Sequence, residues 1–341
     1  MAKLDEMLAA ALRDLAAEAP ALPPLSPRAR RRIRARRSAA IAASVMVVAA
    51  MSAGVVIGAH ALARPAHPQV SPHHLATAYV PTAYVLGGSG TVTPIRIATN
   101  TALRPIRLGK RRSPCAIAIT PDGKTAYVVN QPADTVTPIT TATNTALPPI
   151  RVGSRPLAIA ITPDGKTAYV ADDSQVTPVR TATNTALRPI KVRQIPAAIA
   201  ITPDGKTAYT VNFAGRRGVT VTPIRTATNT VLAPVTVGPT FPQQLPAIAI
   251  TPDGSTAYVI TNAPGLTHQD AVTPIRTATS TALPPITVGR GSCAIAITPD
   301  GMTAYVTNMT SGTVTPIRTA TNTAQRPIEV GRGPCAMAIT R

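Results

Sequence analysis

Aromatic side chains are scarce in this chain of 341 residues, which has no Trp, two Phe and seven Tyr. A core built from this sequence must therefore be aliphatic. The shortage also argues against nucleic-acid binding, because proteins that bind single strands stack the bases on aromatic rings. We expect no nucleic-acid partner.

Groups that perform catalysis are equally sparse beyond residue 81. The only histidine there is His268, and the glycines follow turns instead of forming a phosphate-binding loop. Two adjacent carboxylates, Asp172 and Asp173, are a possible cation site, although such pairs in loops are usually solvated. The other carboxylates recur in one turn of a repeat or are scattered: Asp122, Asp134, Asp164, Asp204, Asp253, Asp270, Asp300 and Glu329. We expect no enzyme, no cofactor and no metal site, and we identify no small-molecule substrate.

Positive charge is abundant, since 34 Lys and Arg oppose 14 Asp and Glu and give a net charge of +20. Most of this excess follows Ser38, so it is not confined to the N-terminal segment. A strongly basic protein favours anionic partners, among them phospholipids and acidic cell-wall polymers.

The first 81 residues divide by composition into four segments. Residues 1–20 have leucines at helical spacing and predict a cytosolic amphipathic helix, either a docking helix or a helix on the membrane surface. Residues 21–37 are a Pro- and Arg-rich juxtamembrane segment, and residues 38–60 are apolar and long enough for a transmembrane helix. Residues 61–81 form a Pro- and His-rich linker.

The arginines before the apolar segment predict that the N-terminus is cytosolic and the rest extracytoplasmic. We therefore expect a single-pass protein of the cell membrane. The alternative is a secreted protein, because Ala61-Leu62-Ala63 fits a signal-peptide cleavage site.

A repeat of 40 to 49 residues fills the chain from residue 82 to residue 341. Its most regular part in the second copy is Ala-Ile-Ala-Ile-Thr-Pro-Asp-Gly-Lys-Thr-Ala-Tyr-Val, from Ala116 to Val128. In that copy we predict strands at 116–120, 125–130, 136–139 and 149–152, with turns at 121–124 and 141–145. Four strands with this period indicate one blade of a β-propeller. One tyrosine marks each copy: Tyr84, Tyr127, Tyr169, Tyr209, Tyr258 and Tyr305.

The repeat is split between the two ends of this region. It begins with the back half, Thr82–Val85, and closes with the front half, Ala336–Thr340. We therefore predict an all-β fold: a six-bladed β-propeller closed by the C-terminal strand and preceded by the transmembrane helix.

Two patterns predict how the strands behave. In the first strand, isoleucines and alanines alternate, so we expect the Ile face of one blade to pack on the Ala face of its neighbour. A proline sits inside each third strand, where it cannot donate a hydrogen bond, and we expect a bulge or break there. These prolines are Pro94, Pro138, Pro178, Pro223, Pro274 and Pro316.

The repeats resemble the YVTN family of β-propellers. The resemblance rests on Thr125-Ala126-Tyr127-Val128 with Asn130, on Tyr305-Val306-Thr307-Asn308, and on the Thr-Ala-Thr-Asn-Thr and Pro-Asp-Gly turns. It covers residues 82–341 and implies a surface or envelope propeller. Family members often suggest seven blades where we count six, and their usual Val-Ile-Asp is replaced here by Thr-Pro-Ile-Arg.

The two rims of such a propeller differ in sequence. One rim carries the constant turns, and the other carries loops of variable length, which are the usual place of function. Basic residues occur on both rims, so charge alone does not choose between them. On the variable rim we predict these partner-binding residues: Lys110, Arg111, Arg112, Arg155, Arg193, Phe213, Arg216, Arg217, Phe241 and Arg290.

The three cysteines, Cys115, Cys293 and Cys335, occupy one repeat position at the start of the first strand. A closed ring would put them on consecutive blades. They are then a soft-metal site, a disulfide that includes Cys335, or small apolar filler.

These observations predict a membrane-anchored extracytoplasmic propeller that binds or scaffolds anionic envelope components or another envelope protein. The alternative is a transmembrane signalling protein with a sensor propeller and a cytosolic output helix. A propeller hydrolase is a third, weaker hypothesis.

Overall fold

The computed structural model describes residues 82–87, 90–109, 113–192, 194–213, 218–239, 247–262, 270–335, 337 and 339. The four predicted N-terminal segments, including the transmembrane helix at 38–60, lie outside these residues. Within the described ranges, no helix has both the length and the apolar character needed to span a bilayer.

Six antiparallel sheets follow one another along the chain. The first has four strands, and each of the others has five. Sheet 1 contains Thr82–Gly87, Thr91–Arg96, Thr101–Ala102 and Ile106–Arg107. Sheet 2 contains Pro114–Ile119, Thr125–Asn130, Thr135–Thr140, Thr145–Ala146 and Ile150–Arg151. Sheet 3 contains Ala158–Ile161, Thr167–Ala171, Gln175–Arg180, Thr185–Ala186 and Ile190–Lys191.

The last three sheets repeat the same plan. Sheet 4 contains Ile195–Ile201, Thr207–Phe213, Val219–Arg225, Thr230–Val231 and Val235–Gly238. Sheet 5 contains Ile248–Ile250, Thr256–Asn262, Asp270–Arg276, Thr281–Ala282 and Ile286–Thr287. Sheet 6 contains Ser292–Ile297, Thr303–Asn308, Thr313–Arg318, Thr323–Ala324 and Ile328–Glu329. Two 3-10 turns, Ile97–Thr99 and Gln131–Ala133, complete the elements described.

In each five-stranded sheet the first three strands form a meander. The fourth strand of the repeat is divided into two short pieces, which pair with opposite ends of the third strand. Sheet 1 lacks a strand equivalent to the first strand of the other sheets among its described residues. The predicted second strand of sheet 2, residues 125–130, is confirmed at both ends.

The expected break at the third-strand prolines is wrong. The third strand of sheet 2 runs continuously through Pro138, which lies opposite Tyr127 in an unbroken register. The Pro138 carbonyl accepts a hydrogen bond of 2.8 Å from the Leu147 amide, so its nitrogen also faces the fourth strand. The interruption therefore falls in the fourth strand, between Thr145–Ala146 and Ile150–Arg151.

The Pro-Asp-Gly turns are built alike from sheet to sheet. At the turn of sheet 2, the Thr120 hydroxyl donates to Asp122 at 2.6 Å, and the Lys124 amide donates to the same carboxylate oxygen at 3.0 Å. Gly123 adopts a φ of 71°, which disfavours any residue with a Cβ atom. Sequence and turn geometry thus agree.

Isoleucines of the first strands in sheets 3 to 6 pack on alanines of the preceding sheet, as the alternation predicts. Ile159 of sheet 3 is buried in one apolar cluster with Ala116 and Ala118 of sheet 2. The same cluster type joins Ile199 to Ala158 and Ala160 of sheet 3. Large side chains thus fill the space left by small ones, without aromatic rings at these positions.

A tyrosine in the second strand hydrogen-bonds the next sheet. The Tyr127 hydroxyl donates to the Asn184 side-chain oxygen at 2.6 Å, and that of Tyr169 donates to Asn229 at 2.8 Å. Tyr84 and Tyr258 make the equivalent bonds to Asn144 and Asn322 at 2.8 and 2.6 Å. Tyr209 donates to the Thr277 carbonyl at 3.1 Å, as Tyr127 and Tyr169 do to the carbonyls of Thr181 and Thr226 at 3.2 Å. Ser280 stands in place of the clamp asparagine there. We call these contacts the tyrosine clamps.

The faces of sheets 1 and 6 differ from their counterparts. Val85 of sheet 1 is 47% exposed, whereas the equivalent Val128 of sheet 2 is fully buried. In sheet 6, Ile328 is 48% exposed, whereas the equivalent Ile150 is 8% exposed. Five apolar clusters join successive sheets, and within the described ranges none joins sheet 6 to sheet 1. We call the place where the predicted ring would close, between sheets 6 and 1, the seam.

The predicted closing strand, Ala336–Thr340, lies partly outside the described residues. Met337 and Ile339 are described, and neither belongs to a strand. Strand Thr82–Gly87 pairs with Thr91–Arg96 in the structure. Closure of the ring by the C-terminal segment therefore stays a prediction.

Candidate functional site

The meander places successive connections at two opposite rims of the sheets. The turns between first and second strands, and between third and fourth strands, lie on one rim, which we call the turn rim. The connections between second and third strands, and between consecutive sheets, lie on the other, which we call the loop rim. This arrangement follows from the antiparallel pairing of every sheet.

Three of the predicted partner-binding residues lie in the described part of the loop rim: Arg155, Phe213 and Arg290. The other seven lie outside the described residues: Lys110, Arg111, Arg112, Arg193, Arg216, Arg217 and Phe241. The structure therefore gives no geometry for most of the predicted loop-rim site.

Arg155 is engaged by two aspartates. Its guanidinium contacts Asp173 at 2.5 Å, and its backbone amide donates to the Asp134 carboxylate at 2.8 Å. Both side chains of the ion pair are exposed, so the pair contributes little to stability. A carboxylate nevertheless already neutralises this guanidinium.

The remaining two residues are placed differently. Phe213 ends the second strand of sheet 4, opposite Ile195 and Val219, and is half-buried. Arg290 is exposed, and its backbone amide donates to the Ser311 hydroxyl at 2.7 Å. Among the residues that the structure describes, no acid forms an ion pair with the Arg290 side chain.

Asp172 and Asp173 have separate surroundings. Asp172 is fully buried and accepts a hydrogen bond from the Thr177 hydroxyl at 2.5 Å. Its other carboxylate oxygen is buried without a hydrogen-bond partner among the described residues. Burial raises the pKa of Asp172 to about 7. Asp173 turns instead to Arg155, so the two adjacent carboxylates do not form a common site.

Asparagine occupies the position of Asp172 in several other sheets. The Asn130 side-chain amide donates to the Thr137 hydroxyl at 3.0 Å, and that of Asn212 donates to Thr222 at 2.8 Å. In sheet 6, Asn308 donates to Thr315 at 2.9 Å. A neutral amide therefore occupies this position in sheets 2, 4 and 6, whereas sheet 3 has the carboxylate of Asp172 there.

The carboxylates of the turn rim hold their own turns. The hydrogen bond from the Thr162 hydroxyl lowers the pKa of Asp164, and Thr202 does the same for Asp204. Lys166 and Lys206 lie at 3.6 Å from these carboxylates in exposed ion pairs. These acids are thus part of the turn structure.

Arginines end the third strands at the turn rim. One stands in the same repeat position in five of the six sheets, and sheet 2 has Thr140 there. All five are exposed: Arg96, Arg180, Arg225, Arg276 and Arg318. Across the described ranges, none of the five forms an ion pair. We call them the rim arginines.

The structure brings two of the three cysteines together. The Cys293 thiol donates to the carbonyl of Pro334, the residue before Cys335, at 3.4 Å. Cys115 instead donates to the Pro156 carbonyl at 3.5 Å. All three are free thiols. Among the residues that the structure describes, no three His, Cys, Asp or Glu side chains converge as a metal site would require.

The clamp asparagines are the positions that sequence reasoning missed. Their signal was present, because each is the Asn of the Thr-Ala-Thr-Asn-Thr turn. Asn184 has a φ of 52°, a left-handed conformation that asparagine tolerates better than most residues. The sequence explains the turn, but the hydrogen bond from the tyrosine of the preceding sheet can be recognised only in the packed structure.

No protein-family model matches the chain, and no curated protein matches it either. Among solved structures it is similar to Kuenenia stuttgartiensis hydrazine synthase, with a TM-score of 0.64 and 22% identity over 75% of this chain and 85% of that chain. It is also similar to the dihydro-heme d1 dehydrogenase NirN in complex with DHE, with a TM-score of 0.61 and 15% identity over 82% of this chain and 64% of that chain. Similarity at this identity shows the fold alone, which is all-β and propeller-like.

Proposed function

We propose that this protein is a membrane-anchored extracytoplasmic module, a six-bladed YVTN-type propeller that binds an anionic envelope polymer without catalysing a reaction. The anchor is the apolar segment at residues 38–60, and the ring closes through the C-terminal segment. The runs of arginine before the anchor and the split repeat support these two parts of the proposal.

The binding proposal rests on a difference between the acidic and the basic side chains of the described surface. Carboxylates are engaged by partners of the same chain: in the turns at Asp164 and Asp204, and in the loops at Asp134 and Asp173. The rim arginines have no such internal partner among the described residues. Their positive charge is therefore available to an external anion.

The spacing of the rim arginines favours a polymer over a small anion. Each arginine belongs to a different sheet, so one small ligand cannot contact all of them. A chain of phosphodiesters or carboxylates presents many charges along its length, and each guanidinium can bind one of them in a bidentate manner. We therefore assign the turn rim, and not the loop rim, as the main anion-binding face.

Two triple variants with equal loss of charge test this assignment. One removes three rim arginines by Arg225→Ala, Arg276→Ala and Arg318→Ala. The other removes three loop-rim charges by Lys110→Ala, Arg111→Ala and Arg112→Ala. Binding of the purified full-length proteins to poly(glycerol phosphate) is measured at two salt concentrations. We expect the first variant to lose affinity by about tenfold or more and to show a weaker salt dependence.

The loop-rim variant serves as the control for net charge. If both variants lose affinity equally, binding follows overall charge and the turn-rim assignment is wrong. If the wild-type protein does not bind the polymer at low salt, the proposed function itself is wrong. Equal melting temperatures of the two variants ensure that the comparison reports binding and not folding.

A further inference from the structure

In the closed ring of the proposed function, Cys293 and Cys335 lie on the two sides of the seam. Cys293 belongs to the first strand of sheet 6, Ser292–Ile297. Cys335 has the same repeat position at the start of the C-terminal segment, which the split repeat assigns to sheet 1. The Cys293 thiol lies 3.4 Å from the carbonyl oxygen of Pro334, the residue before Cys335, so the backbone beside Cys335 reaches the first strand of sheet 6.

Cys115 provides an internal comparison for this contact. Its thiol lies 3.5 Å from the carbonyl oxygen of Pro156, which precedes Leu157. Leu157 is the repeat equivalent of Cys335, so the same backbone contact occurs there with a leucine on the far side. The backbone arrangement is thus a property of the repeat, whereas thiols on both sides distinguish the seam.

The seam also lacks interactions that join other sheets. The Tyr305 hydroxyl has no hydrogen-bond partner among the described residues, whereas four equivalent tyrosines reach an asparagine of the next sheet. Ile328 and Val330 are about half exposed, at 48% and 50%. A covalent link would therefore strengthen the boundary that packs least well.

We propose that Cys293 and Cys335 form a disulfide under oxidising conditions, which ties the C-terminal segment to sheet 6 and locks the ring at the seam. This link deepens the ring-closure part of the proposed function and is independent of the anionic ligand.

Thiol–disulfide exchange with a small disulfide such as oxidised glutathione supplies the chemistry. The partly exposed Cys335 attacks one sulfur of the oxidant and releases one glutathione. Cys293 then attacks the Cys335 sulfur of the mixed disulfide and releases the second. Two protein thiols lose two electrons and two protons, and one glutathione disulfide becomes two thiols.

The reaction should be slow at neutral pH. Burial raises the pKa of the Cys335 thiol to about 12, and the attacking species is the thiolate. Raising the pH increases the thiolate fraction, so the rate of disulfide formation should increase steadily between pH 7 and pH 9.

Thiol counting on the full-length protein tests the proposal. Wild type and the variants Cys115→Ala, Cys293→Ala and Cys335→Ala are incubated with oxidised glutathione, denatured, alkylated and weighed by mass spectrometry. Alanine is a suitable replacement because Ala197 occupies the same repeat position in sheet 4. We expect one alkylated cysteine in wild type and none in Cys115→Ala, with a peptide linking Cys293 and Cys335 in both.

Thermal unfolding provides a second measurement. Oxidation should raise the melting temperature of wild type and of Cys115→Ala, and leave Cys293→Ala and Cys335→Ala unchanged. Three alkylated cysteines in oxidised wild type would overturn the proposal. So would a linked peptide that contains Cys115, or a disulfide-linked dimer on a non-reducing gel.

Discussion

The hydroxyl of Tyr127 donates a hydrogen bond of 2.6 Å to the side-chain oxygen of Asn184, which belongs to the next sheet. Tyr127 is 1% exposed, so its ring fills the boundary while its hydroxyl reaches the turn rim. The same hydroxyl also lies 3.2 Å from the Thr181 carbonyl, so each clamp couples apolar packing to polar contacts with one turn of the next sheet. In this way the asparagine turn of one repeat binds the second-strand tyrosine of the repeat before it.

Replacing Tyr127 by Phe should destabilise the protein by about 1 kcal/mol, since a hydrogen bond in a folded protein contributes roughly this amount. Urea unfolding of wild type and variant measures the change. Asn184→Gly preserves the left-handed backbone and removes the acceptor. In the Asn184→Gly background, the cost of Tyr127→Phe should become smaller, because only the Thr181 carbonyl at 3.2 Å then remains to accept from the hydroxyl; full additivity would mean that the two side chains are not coupled.

Tyr305→Phe tests closure of the seam. If sheets 6 and 1 close in solution, the Tyr305 hydroxyl should reach Asn100, which has the same left-handed conformation as the clamp asparagines, with a φ of 50°. We expect Tyr305→Phe to cost about as much as Tyr127→Phe, about 1 kcal/mol in urea unfolding. A Tyr305→Phe variant as stable as wild type would indicate that this clamp does not form.

Asp172→Asn should stabilise the protein above pH 7. The pKa of Asp172 is raised to about 7 by burial, so the folded state retains a proton that the unfolded state has already lost. Stability should therefore fall as pH rises from about 4 to about 7. Asparagine removes this dependence and can donate to Thr177, as Asn130 does to Thr137.

The comparison for that variant is Asp173→Asn. It changes the neighbouring carboxylate, whose exposed ion pair with Arg155 contributes little. Urea midpoints are measured at pH 5 and pH 8 and should shift for Asp172→Asn. At pH 8 the free energy of unfolding of this variant should exceed that of wild type by about 1–3 kcal/mol, because the buried charge is removed. Equal behaviour of the two variants would contradict the buried-charge explanation.

High pH should unfold the protein through its clamp tyrosines. Burial raises the pKa of Tyr127, Tyr169 and Tyr258 to about 12 from the ordinary value of 10. The folded state thus favours the neutral phenol. Its contribution is complete below pH 10 and is lost as pH rises from 10 to 12.

Urea midpoints measured at pH 8, 10 and 11 report this loss. A variant with Phe at Tyr127, Tyr169 and Tyr258 is less stable at pH 8 but should lose less stability between pH 10 and pH 11. A wild-type midpoint that is constant over this range would refute the explanation.

Local rules in the sequence predict much of the fold. The Pro-Asp-Gly turn predicted where the strand Thr125–Asn130 begins, and the Ile–Ala alternation predicted the sense of packing between Ile159 and Ala118. The prediction at Pro138 was wrong because a missing backbone N–H weakens pairing only with the strand that the proline nitrogen faces. Which neighbour that is depends on strand register, which the sequence of one strand does not contain.

The candidate site was less predictable for a related reason. Arg155 and Arg180 are both exposed basic residues in the sequence pattern, yet Arg155 meets Asp173 and Arg180 meets no acid among the described residues. Asp173 is separated from Arg155 by 18 positions and by a complete pair of strands. Whether an arginine is free to bind an external anion therefore depends on the side chains that surround it in the folded protein.

The divided fourth strand has a consequence for solubility. A long, regular edge strand invites other chains to add to the sheet and so leads to aggregation. Here the outer edge of sheet 2 offers two strands of two residues, Thr145–Ala146 and Ile150–Arg151, with Pro148 and Pro149 between them. A proline precedes the second piece in every sheet, so the repeat that builds the sheets also prevents them from growing sideways.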